Sequence, residues 1–157
     1  METGYDAREL QTALKSCPDN PSRMARALEA ARGAIAAERG FVAVPKGADD
    51  VQILQAAGFT TDNIWDTGEI SQTIIRKVLS DGEAVKSNNA SDDPRFADQN
   101  SVILSGLRSV MCVPFKSAGR LVGLLYLDNR MVIGAFSRDD LQVVREIAEL
   151  VSLNLTA

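Results

Sequence analysis

Two stretches late in the chain constrain the fold most: residues 109–115, Ser-Val-Met-Cys-Val-Pro-Phe, and residues 121–127, Leu-Val-Gly-Leu-Leu-Tyr-Leu. A strand with one wet face alternates apolar and polar residues. These do not, since Met111, Val113 and Phe115 are interleaved with Val110 and Cys112. Such strands belong inside a sheet that is covered on both faces. The residues between them, Lys116-Ser-Ala-Gly-Arg120, predict a hairpin loop with Gly119 available for positive φ. Pro114 offers no N–H to a ladder, so one edge of its strand must be unpaired or bulged there.

The covering layers must come from the rest of the chain. Residues 7–15 have weak helical character, with Leu10 and Leu14 on one side. Cys17-Pro-Asp-Asn-Pro21 breaks the chain, and Asn20 as N-cap with Pro21 in the first helical position predicts a new helix. Its apolar stripe is Met24, Leu28, Ala31 and Ile35, and Gly40 is its predicted stop. Residues 41–45 and 51–57 read as strands around a turn at 46–50. A helix over 71–80, a short strand over 84–87, a loop over 88–94 and a helix over 95–104 follow. Ser137-Arg-Asp-Asp140 resembles a capping box and opens a final helix over 139–155. That helix carries one stripe of Leu141, Val144, Ala148, Val151 and Leu155, and a second of Val143, Ile147 and Leu150. One stripe suffices to dock on a sheet. The second predicts another buried surface, against either the helix at Met24 or a partner subunit. The result is an α+β domain with one antiparallel sheet between helical layers.

Composition narrows the chemistry. The 157 residues are 45% hydrophobic and 24% charged, the balance of one globular domain with a continuous core. A net charge of −4 without clustered Lys and Arg argues against nucleic acid. The sequence has no run long enough to span a bilayer and no signal pattern near Met1, and it reads as cytoplasmic. Cys17 and Cys112 lack metal-ligand spacing, and Cys112 reads as a reduced core thiol. Histidine is absent altogether. That removes imidazole acid–base chemistry, Ser-His and Cys-His nucleophile pairs, and His-ligated haem. The expectation is therefore a non-enzyme, with no catalytic residue, no metal and no cofactor.

The order of elements, with Gly106-Leu-Arg-Ser-Val-Met-Cys-Val-Pro-Phe115 and Gly119-Arg-Leu-Val-Gly-Leu-Leu-Tyr-Leu-Asp-Asn129, resembles the GAF domain family. Val78-Leu-Ser-Asp-Gly-Glu-Ala-Val85 and Asp92-Asp-Pro-Arg-Phe96 fit it as well. It looks most like the GAF domains of bacterial enhancer-binding activators, FHA-GAF proteins and sensor kinases. The resemblance spans residues 21–157, leaving 1–20 as an N-terminal linker helix segment. It implies a GAF-like, PAS-related antiparallel sheet of six strands, with terminal helices packed on one face. Short helices and loops would roof a small-molecule pocket on the other. It also implies a homodimer through terminal helices that run on into an output domain of the same full-length chain.

By the same resemblance, the ligand-binding positions fall at Ile74, Ile75, Ser91, Ile103, Leu107 and Tyr126. Strand period groups Tyr126 with Val122 and Leu124, opposite Leu125 and Leu127. A buried phenol needs a partner, which a ligand or a core carbonyl would supply. Trp65, in a polar stretch, reads either as a pocket lid or as a surface-packed indole. The dimer interface is expected at Met24, Leu28, Ile35, Ile147, Leu150 and Val151. Asn129-Arg130, Phe136 and Asp140 match part of the signature of cyclic-nucleotide-binding members, with Leu141 where the signature has Glu. The pieces have plainer readings as turn, core anchor and helix cap. Free methionine sulfoxide reductases share the layout but use several spaced cysteines, which this chain lacks. The expected function is thus a regulatory domain binding an unidentified effector, with a ligand-free dimerisation and relay module as the alternative.

Overall fold

The computed structural model describes residues 5–47, 50–59, 72–87, 109–129 and 136–156. In chain order the elements are α1 (Ala7–Ser16), α2 (Asn20–Ala34), β1 (Arg39–Lys46), β2 (Asp50–Ala57), α3 (Gln72–Asp81), β3 (Val85–Ser87), β4 (Ser109–Ser117), β5 (Arg120–Asn129) and α4 (Arg138–Leu153). The strands form one antiparallel sheet in the order β2-β1-β5-β4-β3. The two all-apolar strands, β4 and β5, sit inside it, as their composition requires. The resemblance implies six strands; the described residues form five. The helix expected over 95–104 lies outside the described residues.

The hairpin between β4 and β5 is tighter than the sequence suggests. Pairing continues to Ser117 opposite Arg120, leaving a two-residue turn in which Ala118 (φ 53°) and Gly119 (φ 78°) are both left-handed. A turn with positive φ at both central residues matches the right-handed twist of the strands it joins. Near the tip the register slips, because Phe115 faces Gly123 whereas Lys116 faces Leu121. Val122 is therefore an extra residue in a β-bulge. β3 pairs only with residues 110–112 of β4, so Pro114 lies beyond its reach, and a residue without an N–H is tolerated there.

Helices α1, α2 and α4 cover one face of the sheet, the back. There Leu14, Leu28, Met111, Leu125, Ile147 and Val151 belong to one core cluster. Two glycines set the fit. A Cβ on Gly40 would stand 2.8 Å from Leu28 Cδ1, and one on Gly123 would stand 2.9 Å from Met24 Sδ. Met24 and Leu28, one turn apart on α2, thus lie over positions where the sheet has no side chains. Gly40 is accordingly part of β1 and not a helix stop; α2 ends at Ala34 with Ile35 as its extended C-cap. At the other end of α2, Asp19, not Asn20, is the N-cap, accepting from the Ser22 N–H at 2.9 Å. α4 opens with a complete capping box: Ser137 Oγ accepts from the Asp140 N–H at 3.0 Å, and the Asp140 carboxylate accepts from the Ser137 N–H at 2.9 Å.

The residues expected at a dimer interface pack mostly inside the chain. Met24, Leu28, Ile35, Ile147 and Val151 are buried in the chain's own back core, none more than 6% exposed, and only Leu150 stays half-buried. The second stripe of α4 has a partner because α4 meets α1 and α2 as well as β4. Periodicity showed that a second surface was needed, and α1, with Leu10 and Leu14 buried in the same cluster, helps to supply it within the chain.

Candidate functional site

The opposite, front face is built by cross-strand neighbours. β1 and β5 pair Arg39 with Asp128, Phe41 with Tyr126 and Ala43 with Leu124. β4 adds Cys112 opposite Tyr126, and β3 adds Val85 opposite Cys112. Helix α3 lays Ile74, Ile75 and Val78 onto this surface, and all three are fully buried in the same cluster as Tyr126, Leu124 and Cys112. The structure therefore brings together three of the expected ligand-binding residues: Ile74, Ile75 and Tyr126. Ser91, Ile103, Leu107 and Trp65 lie outside the described residues. The bulge overturns one assignment: Val122 packs on the back core, while Leu121 joins the front.

Tyr126 is the centre of a buried polar network. Its hydroxyl donates to Asp128 Oδ2 at 2.6 Å. The Arg39 guanidinium grips the same carboxylate through Nε to Oδ1 at 2.7 Å and Nη2 to Oδ2 at 2.6 Å. All three side chains are fully buried. The partner of the phenol is thus a carboxylate of the protein, neither a ligand nor a core carbonyl. A bidentate, charge-assisted pair of this kind is among the stronger polar contacts available in a protein interior. Aromatic rings frame it: Phe41 stacks on Tyr126 at 4.8 Å, and Phe59 lies 4.6 Å from the Arg39 guanidinium carbon. The second contact is a cation–π arrangement.

The environment shifts each group. Burial, followed by the Asp128 charge, pushes the Tyr126 phenol well above its ordinary value. Burial raises the Asp128 carboxyl, against the lowering pull of Arg39 and Tyr126. Burial opposes the Arg39 charge, but the hydrogen bonds and charge of Asp128 outweigh it and leave the guanidinium above its usual range. Arg39 and Asp128 were missed in the sequence. The signal for Asp128 was present, since two residues beyond Tyr126 on one strand means the same face. Arg39 has no local signal; only the β1–β5 register reveals it.

The thiol of the front cluster is Cys112. Complete burial pushes its thiol far above the ordinary range. A thiol kept protonated in an apolar site is inert. A thiol reagent applied to the native protein is expected to modify the half-buried Cys17 alone, with Cys112 reacting only once denaturant unfolds the chain. Mass spectrometry of the labelled peptides reads this directly, and equal native rates at both cysteines would contradict it. Among the described residues no group of three His, Cys, Asp or Glu is placed to hold a metal, and no helix is long and apolar enough to cross a membrane.

Two pieces of the nucleotide-type signature have structural roles. Phe136 is buried in the back core, away from the front cluster, and Asp140 completes the α4 cap. Arg130 lies outside the described residues. A groove of about 590 Å³ opens elsewhere, between the β4–β5 hairpin tip and the C-terminal half of α4, with Lys116, Arg145 and Leu153 on its walls. Of the expected ligand-binding residues that are described, Ile74, Ile75 and Tyr126, none lines it.

An antiparallel sheet, with helices α1, α2 and α4 on its back and a short helix over an apolar front, defines an α+β domain. The sequence profile of the GAF domain family matches residues 22–155, and the chain belongs to that family. GAF domains are chiefly signalling and sensory modules of multidomain proteins. No curated protein sequence matches the chain. Solved structures share its fold at low identity. The GAF domain of an Acinetobacter phosphoenolpyruvate-protein phosphotransferase superposes with a TM-score of 0.71 at 14% identity, covering 94% of this chain and 89% of that one. Residues 122 to 287 of a methyl-accepting chemotaxis protein give 0.70 at 15% identity, with 94% and 93% covered. A free methionine-R-sulfoxide reductase from Neisseria meningitidis, solved in complex with its substrate, gives 0.69 at 16%, with 94% and 84% covered. The fold therefore carries both regulatory domains and enzymes.

Proposed function

We propose that the chain is a non-catalytic regulatory domain of a cytoplasmic bacterial signalling protein. It binds a small effector on the front of its sheet and passes the event to an output domain through paired copies of α4. The observation that carries the non-catalytic part is the state of Cys112: the single thiol of the front cluster is buried and protonated, in a chain with no histidine to activate it. Effector binding draws support from the convergence of Ile74, Ile75 and Tyr126 on one surface and from the Neisseria reductase, a protein of this fold solved with its substrate. The effector would meet an apolar wall, because Asp128 already engages the Tyr126 hydroxyl.

One observation favours a second reading. Ile74, Ile75 and Tyr126 are completely buried, as they would be in a relay module whose front is filled by its own side chains. Native mass spectrometry of the purified chain separates the two. The sensor reading expects a dimer whose mass exceeds that of the polypeptides by a small molecule. A dimer of bare polypeptide mass supports the relay module. A bare monomer contradicts both.

A further inference from the structure

Two polar brackets tie α1 and the start of α2 to the segment that leaves α4. The first is a reciprocal amide pair: Gln11 Nε2 donates to Asn154 Oδ1 at 3.2 Å, and Asn154 Nδ2 donates to Gln11 Oε1 at 3.0 Å. Asn154 is the C-cap of α4, and its Nδ2 also reaches the Leu150 carbonyl at 2.9 Å. The second bracket is Asn20, whose Nδ2 donates to the Thr156 carbonyl at 2.8 Å while its Oδ1 accepts from the Thr156 N–H at 3.0 Å. A side-chain amide that both gives to and takes from one residue's backbone copies a rung of β-ladder. This explains why Asn20 is not the helix cap. Its amide is committed across the fold, and it is braced there by Arg23 Nη1 at 2.8 Å. Arg23 Nη2 in turn holds the Cys17 carbonyl at 3.2 Å, fixing the break between α1 and α2.

We propose that α1 and the α1–α2 junction form a clasp on residues 154–156, so that the docking of α1 and the path taken by the chain after α4 are one coupled equilibrium. The Gln11–Asn154 bracket is half-buried and the Asn20–Thr156 bracket is exposed; polar contacts near the surface are of the class that opens locally without global unfolding. The body of α4 is held separately, by its back-core residues and by the Lys116 N–H on Ser152 Oγ at 3.0 Å. Opening the clasp therefore frees the segment while the sheet stays intact. A displacement of α1 redirects the chain beyond α4, and a pull on that chain loosens α1. Coupling of this kind is reciprocal by thermodynamic necessity.

Amide hydrogen exchange by NMR on the full chain tests it, with Gln11→Ala, Asn20→Ala and Asn154→Ala. Loss of one bracket should speed exchange across it by roughly three- to tenfold, the net worth of one or two hydrogen bonds. Gln11→Ala and Asn20→Ala should accelerate the amides of Leu155 and Thr156. Asn154→Ala should accelerate those of Leu10 and Leu14, on the other side of the contact. Amides of Phe115 and Leu125, in the middle of the sheet, should not change in any variant. Unaltered α1 exchange in Asn154→Ala, or uniform acceleration that includes Phe115 and Leu125, would overturn the clasp.

Discussion

Asp128→Ala is expected to destabilise the fold by about 3–5 kcal/mol, the usual result of breaking a buried ion pair from one side. The substitution leaves the Arg39 guanidinium buried without its bidentate partner and removes the acceptor of the Tyr126 hydroxyl. Against a typical total stability of about 5–15 kcal/mol, that is a large fraction. The series around it has a definite order. Tyr126→Phe takes away a single hydrogen bond to a charged acceptor and should cost about 2 kcal/mol. Replacing both ions with apolar residues, Arg39→Met with Asp128→Leu, should recover part of the loss, because neither desolvated charge remains although the buried Tyr126 hydroxyl still lacks its acceptor. Urea unfolding followed by circular dichroism gives all three values. A loss under about 1 kcal/mol for Asp128→Ala would mean that the pair is not buried as described.

Val151→Glu should be nearly as damaging. Val151 is among the residues expected at a dimer interface, where a charge would report on association. In the fold Val151 is fully buried in the back core. The substitution therefore forfeits about 1.5–3 kcal/mol of apolar burial and must either bury a carboxylate or protonate it. A total of about 4 kcal/mol or more is expected. Leu153, two residues on and 77% exposed, supplies the control: Leu153→Glu should stay within about 0.5 kcal/mol of the parent. Equal stability of the two variants would contradict the assignment of Val151 to the core.

The features legible in the sequence were those decided locally. The two all-apolar strands needed cover on both faces and received it, and the Ser137–Asp140 box formed as written. The failures have long-range causes. Asp19 and Asn20 are both good caps, and the choice fell to Asp19 because Thr156, far along the chain, occupies Asn20. Gly40 resembled a helix stop, whereas its lack of a side chain serves the approach of Leu28. Strict alternation misplaced Val122 because a bulge at the hairpin tip adds a residue. For the candidate site, the family resemblance supplied Ile74, Ile75 and Tyr126, which share the front cluster, but the ion pair that holds Tyr126 exists only once β1 lies beside β5.

The claim that an effector acts at the front of the sheet is tested most directly by isoleucine methyl NMR, since the chain supplies its own controls. Ile74 and Ile75 report on the front cluster, and Ile35 and Ile147 on the back. During titration with a small-metabolite extract, the δ1 methyl signals of Ile74 and Ile75 are expected to shift while those of Ile35 and Ile147 hold still. Signals of Ile74 and Ile75 that stay fixed throughout, or shifts confined to Ile35 and Ile147, would contradict it.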